Sequence, residues 1–169
     1  AIIGFFFGKK KSPPLPINFT SASSVLVIRT DRLGDVVLST PVYESIKKSF
    51  PHLRVSVIVN RSNMPILTDN PNVDEIIPFD PKNLGTIIKQ LRCNRFDIAF
   101  TLNKKFSVIA SFLALISKAQ YKVGYAHDET TWLYDIRLPI DNQPRHESLN
   151  NLELLNYAGL TKISKSPSL

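Results

Sequence analysis

The chain has 169 residues, 43% of them hydrophobic and 21% charged, which is enough for one domain with a proper core. Its single cysteine, Cys93, excludes an internal disulfide framework and a cysteine-based metal site. A net charge of +7 favours an anionic partner (phosphate, nucleic acid or an anionic lipid surface), with a basic but inert surface as the plain alternative.

The chain opens on A-I-I-G-F-F-F-G-K-K-K-S. This apolar run is too short to span a bilayer. Its charges follow the apolar part, whereas a signal peptide places them before it. An aromatic plug ahead of three lysines suits contact of residues 1–12 with an anionic membrane surface. It suits equally well packing on the protein's own body, or on a part outside these residues. Lys11 to Ser24 holds three prolines among polar residues and reads as a connector rather than a core element.

From there short β-rich runs alternate with helical periodicity. Val25 to Arg29 is a continuous apolar run, the type buried on both faces of a parallel sheet. Val36 to Phe50 reads as a helix, with Pro41 tolerated in its first turn or at a kink, and Pro51 as the stop. Arg54 to Val59 is the second strand, Asn63 to Thr68 a short helix, and Glu75 to Phe79 the third strand. Asn83 to Arg92 predicts a helix that buries Ile87, Ile88 and Leu91. Asp97 to Leu102 is a strand, Phe106 to Ser117 a strongly apolar helix, and Tyr121 to Tyr125 a fifth strand. Ala126 to Arg145 lacks periodicity and is expected to be a long loop on the ligand edge. Glu147 to Tyr157 is the last helix, with Leu149, Leu152 and Leu155 at three-residue spacing and Gly159 as its cap.

This alternation predicts an α/β fold: a Rossmann-like open parallel sheet with helices on both faces. The organisation expected is a leader and connector over 1–23, a domain over 24–160, and the start of a linker over 161–169.

The chemistry is sought where strands end, because ligands of open α/β sheets gather there. The first turn, T-D-R-L-G-D-V, holds one glycine, so neither a dinucleotide fingerprint nor a P-loop is present. Gly34 serves either the tight turn alone or a close approach of backbone to ligand. Asp35 is either a helix cap or a general base facing the cleft. A helix N-terminus would lower its pKa and partial burial would raise it. Asp31, Asp35 and Asp80 sketch a phospho-acceptor site, although Asp80 runs straight into Pro81. Arg29, Arg32, Arg61, Lys104 and Lys105 all fall at strand ends, so a parallel sheet gathers them on one edge as an anion-binding rim or as solvated loop charges. No nucleic-acid motif is present. His52, His127 and His146 lie far apart, and a run such as His127-Asp128-Glu129 is usually solvated loop, so no metal site is expected.

The first turn resembles that of glycosyltransferase family 9, the heptosyltransferases of lipopolysaccharide core assembly. The family pattern is a hydrophobic strand, an arginine or lysine, a few polar residues, G-D-V, and T-P in the helix. It stands here as Ile28-Arg29, Asp31-Arg32-Leu33-Gly34-Asp35-Val36 and Thr40-Pro41. Phe96-Asp97-Ile98-Ala99 with Leu102-Asn103, Lys122-Val123-Gly124-Tyr125, His146-Glu147 and Ala158-Gly159-Leu160 extend the similarity over roughly Ser24 to Leu160.

The resemblance implies the N-terminal, acceptor-binding half of a GT-B enzyme, two Rossmann-like domains facing across a cleft. It implies inversion without an active-site metal, and Asp35 as the catalytic base. It implies an anionic glycolipid acceptor, the lipopolysaccharide inner core, met by Arg32, Gly34, Arg61, Asn103, Lys104 and Lys105. The nucleotide-sugar donor, ADP-heptose in the commonest case, would bind mainly a C-terminal domain outside these residues, so the chain alone is expected to transfer nothing. The expected location is cytoplasmic, at the inner face of the cytoplasmic membrane. The alternatives are a non-catalytic module for an anionic glycan or lipid, and a stand-alone nucleotide-binding domain.

Overall fold

The computed structural model describes residues 16–141 and 145–160. The expected membrane contact of residues 1–12 and the linker over 161–169 lie outside the described residues. The core is a six-stranded, all-parallel sheet in the order β3-β2-β1-β4-β5-β6. The strands are β1 (Ser24–Arg29), β2 (Arg54–Asn60), β3 (Glu75–Phe79), β4 (Ile98–Thr101), β5 (Tyr121–Tyr125) and β6 (Ile136–Leu138). This is the Rossmann-like order, and its direction reverses between β1 and β4.

The apolar run of β1 is buried on both faces, as its composition requires. Val25 and Val27 enter one core and Leu26 and Ile28 the other. The first core is covered by α1 (Leu33–Val37), α2 (Thr40–Ser49) and α5 (Glu147–Ala158). The second is covered by α3 (Leu84–Asn94) and α4 (Val108–Ile116) through Ile87, Leu91, Ala110 and Leu113.

Four elements differ from the sequence expectation. The helix expected over Val36–Phe50 is two helices broken at Leu38–Ser39. Pro41 has no N–H for the Val37 carbonyl, and its ring would clash with that carbonyl in a continuous helix. Thr40 Oγ1 donates to Val37 O instead, at 2.9 Å, and Asn151 Nδ2 from α5 donates to Leu38 O at 3.2 Å. The connector supplies core side chains: Ile17, Phe19 and Ala22 are buried, and Ile17 N donates to Ala158 O at the end of α5. Ala126–Arg145 is not one long loop, because Ile136–Leu138 adds the edge strand β6 beside β5. Three residues are too few for periodicity to register. In α5 it is Leu152, Leu154 and Leu155 that are buried, while Leu149 faces outward. Gly159 closes α5 at φ 113°, a left-handed conformation that favours glycine.

Candidate functional site

Parallel strands bring every loop that follows a strand to one edge. At the reversal between β1 and β4, that edge holds a cavity of about 920 Å³. Its lining includes Arg29, Asp31, Arg32 and Asp35 after β1, Asn60 and Asn63 at the end of β2, Asn103 to Ser107 after β4, and Glu147 from α5.

The centre of the arrangement is Arg29, the last residue of β1, only 1% exposed. A buried guanidinium requires partners for its fork of donors. Nη1 donates to Leu102 O at 2.6 Å, Nε to Asp35 O at 3.3 Å, and Nη2 to Glu147 Oε1 at 3.0 Å. Two further carboxylates stand close: Asp31 Oδ2 at 3.5 Å and Asp35 Oδ1 at 3.6 Å. One cation therefore faces three acids. Burial pushes the Asp31 carboxyl above its ordinary value. Arg29 opposes that rise, Asp35 and Glu147 add to it, and a hydrogen bond from Asn103 Nδ2 opposes it.

The loop carrying these acids is clamped from β2. Asn60 Nδ2 donates to Thr30 O at 2.9 Å and Asp31 O at 3.3 Å, and Asn63 Nδ2 donates to Asp31 O at 3.0 Å. Asn103 is itself buried and lines the cavity, and its Oδ1 accepts no hydrogen bond among the described residues. An amide oxygen so placed is a ready acceptor for a ligand hydroxyl.

Asp35 sits in the first turn of α1, about one-third exposed. Its side chain accepts no capping hydrogen bond, and the N-cap position belongs to Arg32. The cap reading of Asp35 is thereby corrected: the carboxylate turns to Arg29 and the cavity. Arg32, Asn103, Lys104 and Lys105 line the cavity with it. Arg61 does not line it; the guanidinium lies 3.7 Å from Asp80. Asp80 caps the 3-10 turn after β3, accepting from Lys82 N, on the edge strand two places from β1. This separates it from Asp31 and Asp35 and dissolves the phospho-acceptor sketch. At Gly34 the backbone has ordinary helical geometry, and an added Cβ would meet nothing within 4 Å, so the turn itself does not require glycine. No group of His, Cys, Asp and Glu among the described residues is arranged to hold a metal ion.

Sequence reasoning missed Glu147 and the clamp formed by Asn60 and Asn63. Glu147 lies 118 residues from Arg29. An acid in the first turn of a helix reads locally as a favourable dipole contact and nothing more.

No family model matches the chain. Among curated proteins, lipopolysaccharide heptosyltransferase 3 of Escherichia coli is 25% identical over 146 residues, covering 80% of this chain and 43% of that protein. The lipopolysaccharide core heptosyltransferase OpsX of Haemophilus influenzae is 27% identical over 155 residues, covering 88% and 44%. This chain is heptosyltransferase-like. Among solved structures, a family 9 glycosyltransferase from Veillonella parvula superposes with a TM-score of 0.72 at 24% identity, covering 82% of this chain and 42% of that one. The E. coli heptosyltransferase WaaC with ADP gives 0.72 at 17% identity, covering 85% and 50%. At these identities the superpositions establish the shared Rossmann-like fold. The heptosyltransferase-like chain spans less than half the length of the curated relatives it matches.

Proposed function

We propose that this chain is the acceptor-binding, N-terminal half of an inverting GT-B glycosyltransferase, with Asp35 as its general base. The donor would be a nucleotide-sugar, ADP-heptose in the first instance, and the acceptor the anionic inner core of lipopolysaccharide. The site of action would be the cytoplasmic face of the membrane. The observation that carries the reading is the placement of Asp35. Its carboxylate faces the cavity at the sheet reversal, held on one oxygen by buried Arg29, while Oδ2 has no hydrogen bond or ion pair among the described residues.

The chemistry follows from that geometry. An acceptor hydroxyl lying against Oδ2 gives its proton to Asp35, and its oxygen attacks the anomeric carbon. The sugar–phosphate bond breaks on the opposite side and the nucleoside diphosphate leaves with the electron pair, inverting the centre. The logic is that of the base in inverting glycosidases, with a sugar hydroxyl in place of water. Arg29 orients the carboxylate, and the free Asn103 oxygen supplies an acceptor for a second hydroxyl. Arg32, Lys104 and Lys105 bring positive charge to the rim for phosphate or carboxylate groups on the acceptor. Arg61, turned toward Asp80, is the weakest of the contacts expected from the sequence.

The test is Asp35→Asn in the intact enzyme. Removing a base of this kind lowers kcat by roughly 10²–10⁴-fold while acceptor binding and thermal stability hold. Normal turnover by that variant would remove Asp35 from the chemistry.

A further inference from the structure

The helical layer over β3, β2, β1 and β4 leaves apolar side chains in the open. Phe106, Val108, Ile109, Phe112 and Leu115 are exposed along α4 and its approach, with Val108 at 70%. On a helix these positions form one outward stripe, opposite the buried Ala110, Leu113 and Ala114. Leu84, at the start of neighbouring α3, is exposed as well. Scattered exposed leucines need no explanation, but a contiguous stripe on one helix does.

The surroundings are predominantly positive, with two exposed acids, Asp128 and Glu129, beside the His127 ring that meets Phe106. Between Pro81 and Gln120 the sequence carries seven lysines and arginines and a single acid, Asp97. Asp97 is spent at the opposite edge of the sheet, accepting from Ser23 N at 2.7 Å and Ser24 N at 3.0 Å. Lys89, Arg92 and Lys118 are exposed and have no ion pair among the described residues. The layer therefore presents an apolar stripe inside a field of net positive charge, in which Asp128 and Glu129 are outnumbered by the seven lysines and arginines.

We infer that this α3–α4 face docks on an anionic lipid bilayer, with the stripe of α4 entering the headgroup boundary and the flanking lysines and arginine meeting lipid phosphates. Charge complementarity selects the occupant. A second copy meeting this face across a twofold axis would set like charges against like. The chain's own leader, residues 1–15, carries three lysines and no acid, so it complements the stripe but not the field. An anionic bilayer satisfies both. The stripe begins at Lys104–Ser107, which also line the cavity, so docking brings the cavity mouth to the lipid surface. The inference goes beyond the proposed acceptor role and does not need Asp35, so the two fail separately: one in vesicle binding, the other in transfer.

The experiment is flotation of the full chain with vesicles of phosphatidylcholine alone, or of phosphatidylcholine and phosphatidylglycerol in equal parts. Binding is expected on the mixed vesicles, at least about tenfold above the neutral ones, and should fall with added salt. Ile109→Ser with Leu115→Ser lowers the partition coefficient by about tenfold or more. Lys89→Gln and Lys118→Gln each lower it by about fivefold. Val108→Asp, at a position exposed enough to leave folding alone, reports the same loss independently. A leader variant with Phe5, Phe6 and Phe7 changed to Ser keeps most of the binding. Unchanged partition of the α4 variants, loss of binding in the leader variant alone, or a concentration-dependent dimer that only the α4 variants abolish would each overturn the inference.

Discussion

Carboxylates gather at both edges of this sheet, and the two edges treat them differently. At the edge where strands begin, Asp97, Asp74 and Glu75 are each matched to donors. Asp97 takes two backbone N–H groups and the Ser24 hydroxyl. Asp74 accepts from Val55 N at 2.6 Å and pairs with Lys47 at 2.6 Å. Glu75 receives Ser56, Gln90, Asn94 and Arg54. Burial alone would raise the Glu75 carboxyl, but these donors outweigh it and hold it below its usual 4.5. At the edge where strands end, Asp31, Asp35 and Glu147 share one guanidinium, and Asp31 is pushed above its usual 3.8. The first edge ties the chain together. The second gathers three acids on one buried cation beside a cavity, an arrangement in which a site gives up stability.

Removing the shared cation tests this contrast most severely. Arg29→Met leaves three carboxylates facing one another and the Leu102 carbonyl without its donor, so a loss of about 3–5 kcal/mol is expected in denaturant unfolding. A loss under about 1 kcal/mol would show that the cluster holds itself without Arg29.

Asp97→Ala probes the other edge. It strips the acceptor from two backbone N–H groups and is expected to lower stability by about 1–3 kcal/mol. No effect would mean that water replaces the carboxylate and that this edge is not tied as described.

The sharpest form of the comparison is in pH. For Asp31 the folded-state pKa is raised, so its ionisation opposes folding. That cost is absent in acid, below 3.8, and appears as pH rises through the higher folded value. Asp31→Asn should therefore raise the melting temperature at neutral pH and match the parent in acid. For Glu75 the folded-state pKa is lowered, so its contribution is present above 4.5 and disappears as pH falls through the lower folded value. Glu75→Gln should lower the melting temperature at neutral pH and again match the parent in acid. The two titrations have opposite signs. Thermal unfolding of both variants across the acid range measures them, and equal signs would end the distinction between the edges.

Gly34→Ala carries the smallest effect on folding. Its helical backbone and open surroundings predict a gain of about 0.4–1 kcal/mol. A loss of acceptor affinity in the same variant would show that the glycine serves close approach of ligand to backbone.

Much of the fold is legible without coordinates. Continuous apolar runs separated by helical periodicity dictate a parallel sheet, and that sheet alone places Arg29, Asp31, Asp35 and Asn103 on one edge. Short elements are not legible: β6 has three residues, and its partner strand rather than its composition makes it a strand. The split at Ser39 is half legible: Pro41 disfavours a continuous helix and Thr40 caps the Val37 carbonyl locally, while the Asn151 contact to the Leu38 carbonyl comes only from α5.

For the site, the sequence determined the turn chemistry: one acid at the start of a helix, one glycine, no phosphate loop, and basic residues after strands. Local spacing carries these because they are properties of neighbours in the chain. The tertiary structure decided that Asp35 faces the cavity instead of capping its helix, that Arg61 turns away to Asp80, and that Glu147 joins Arg29 from the far end of the domain. Those outcomes depend on which charge a buried guanidinium finds beside it. That is set by packing across the sheet, which no window of neighbouring residues contains.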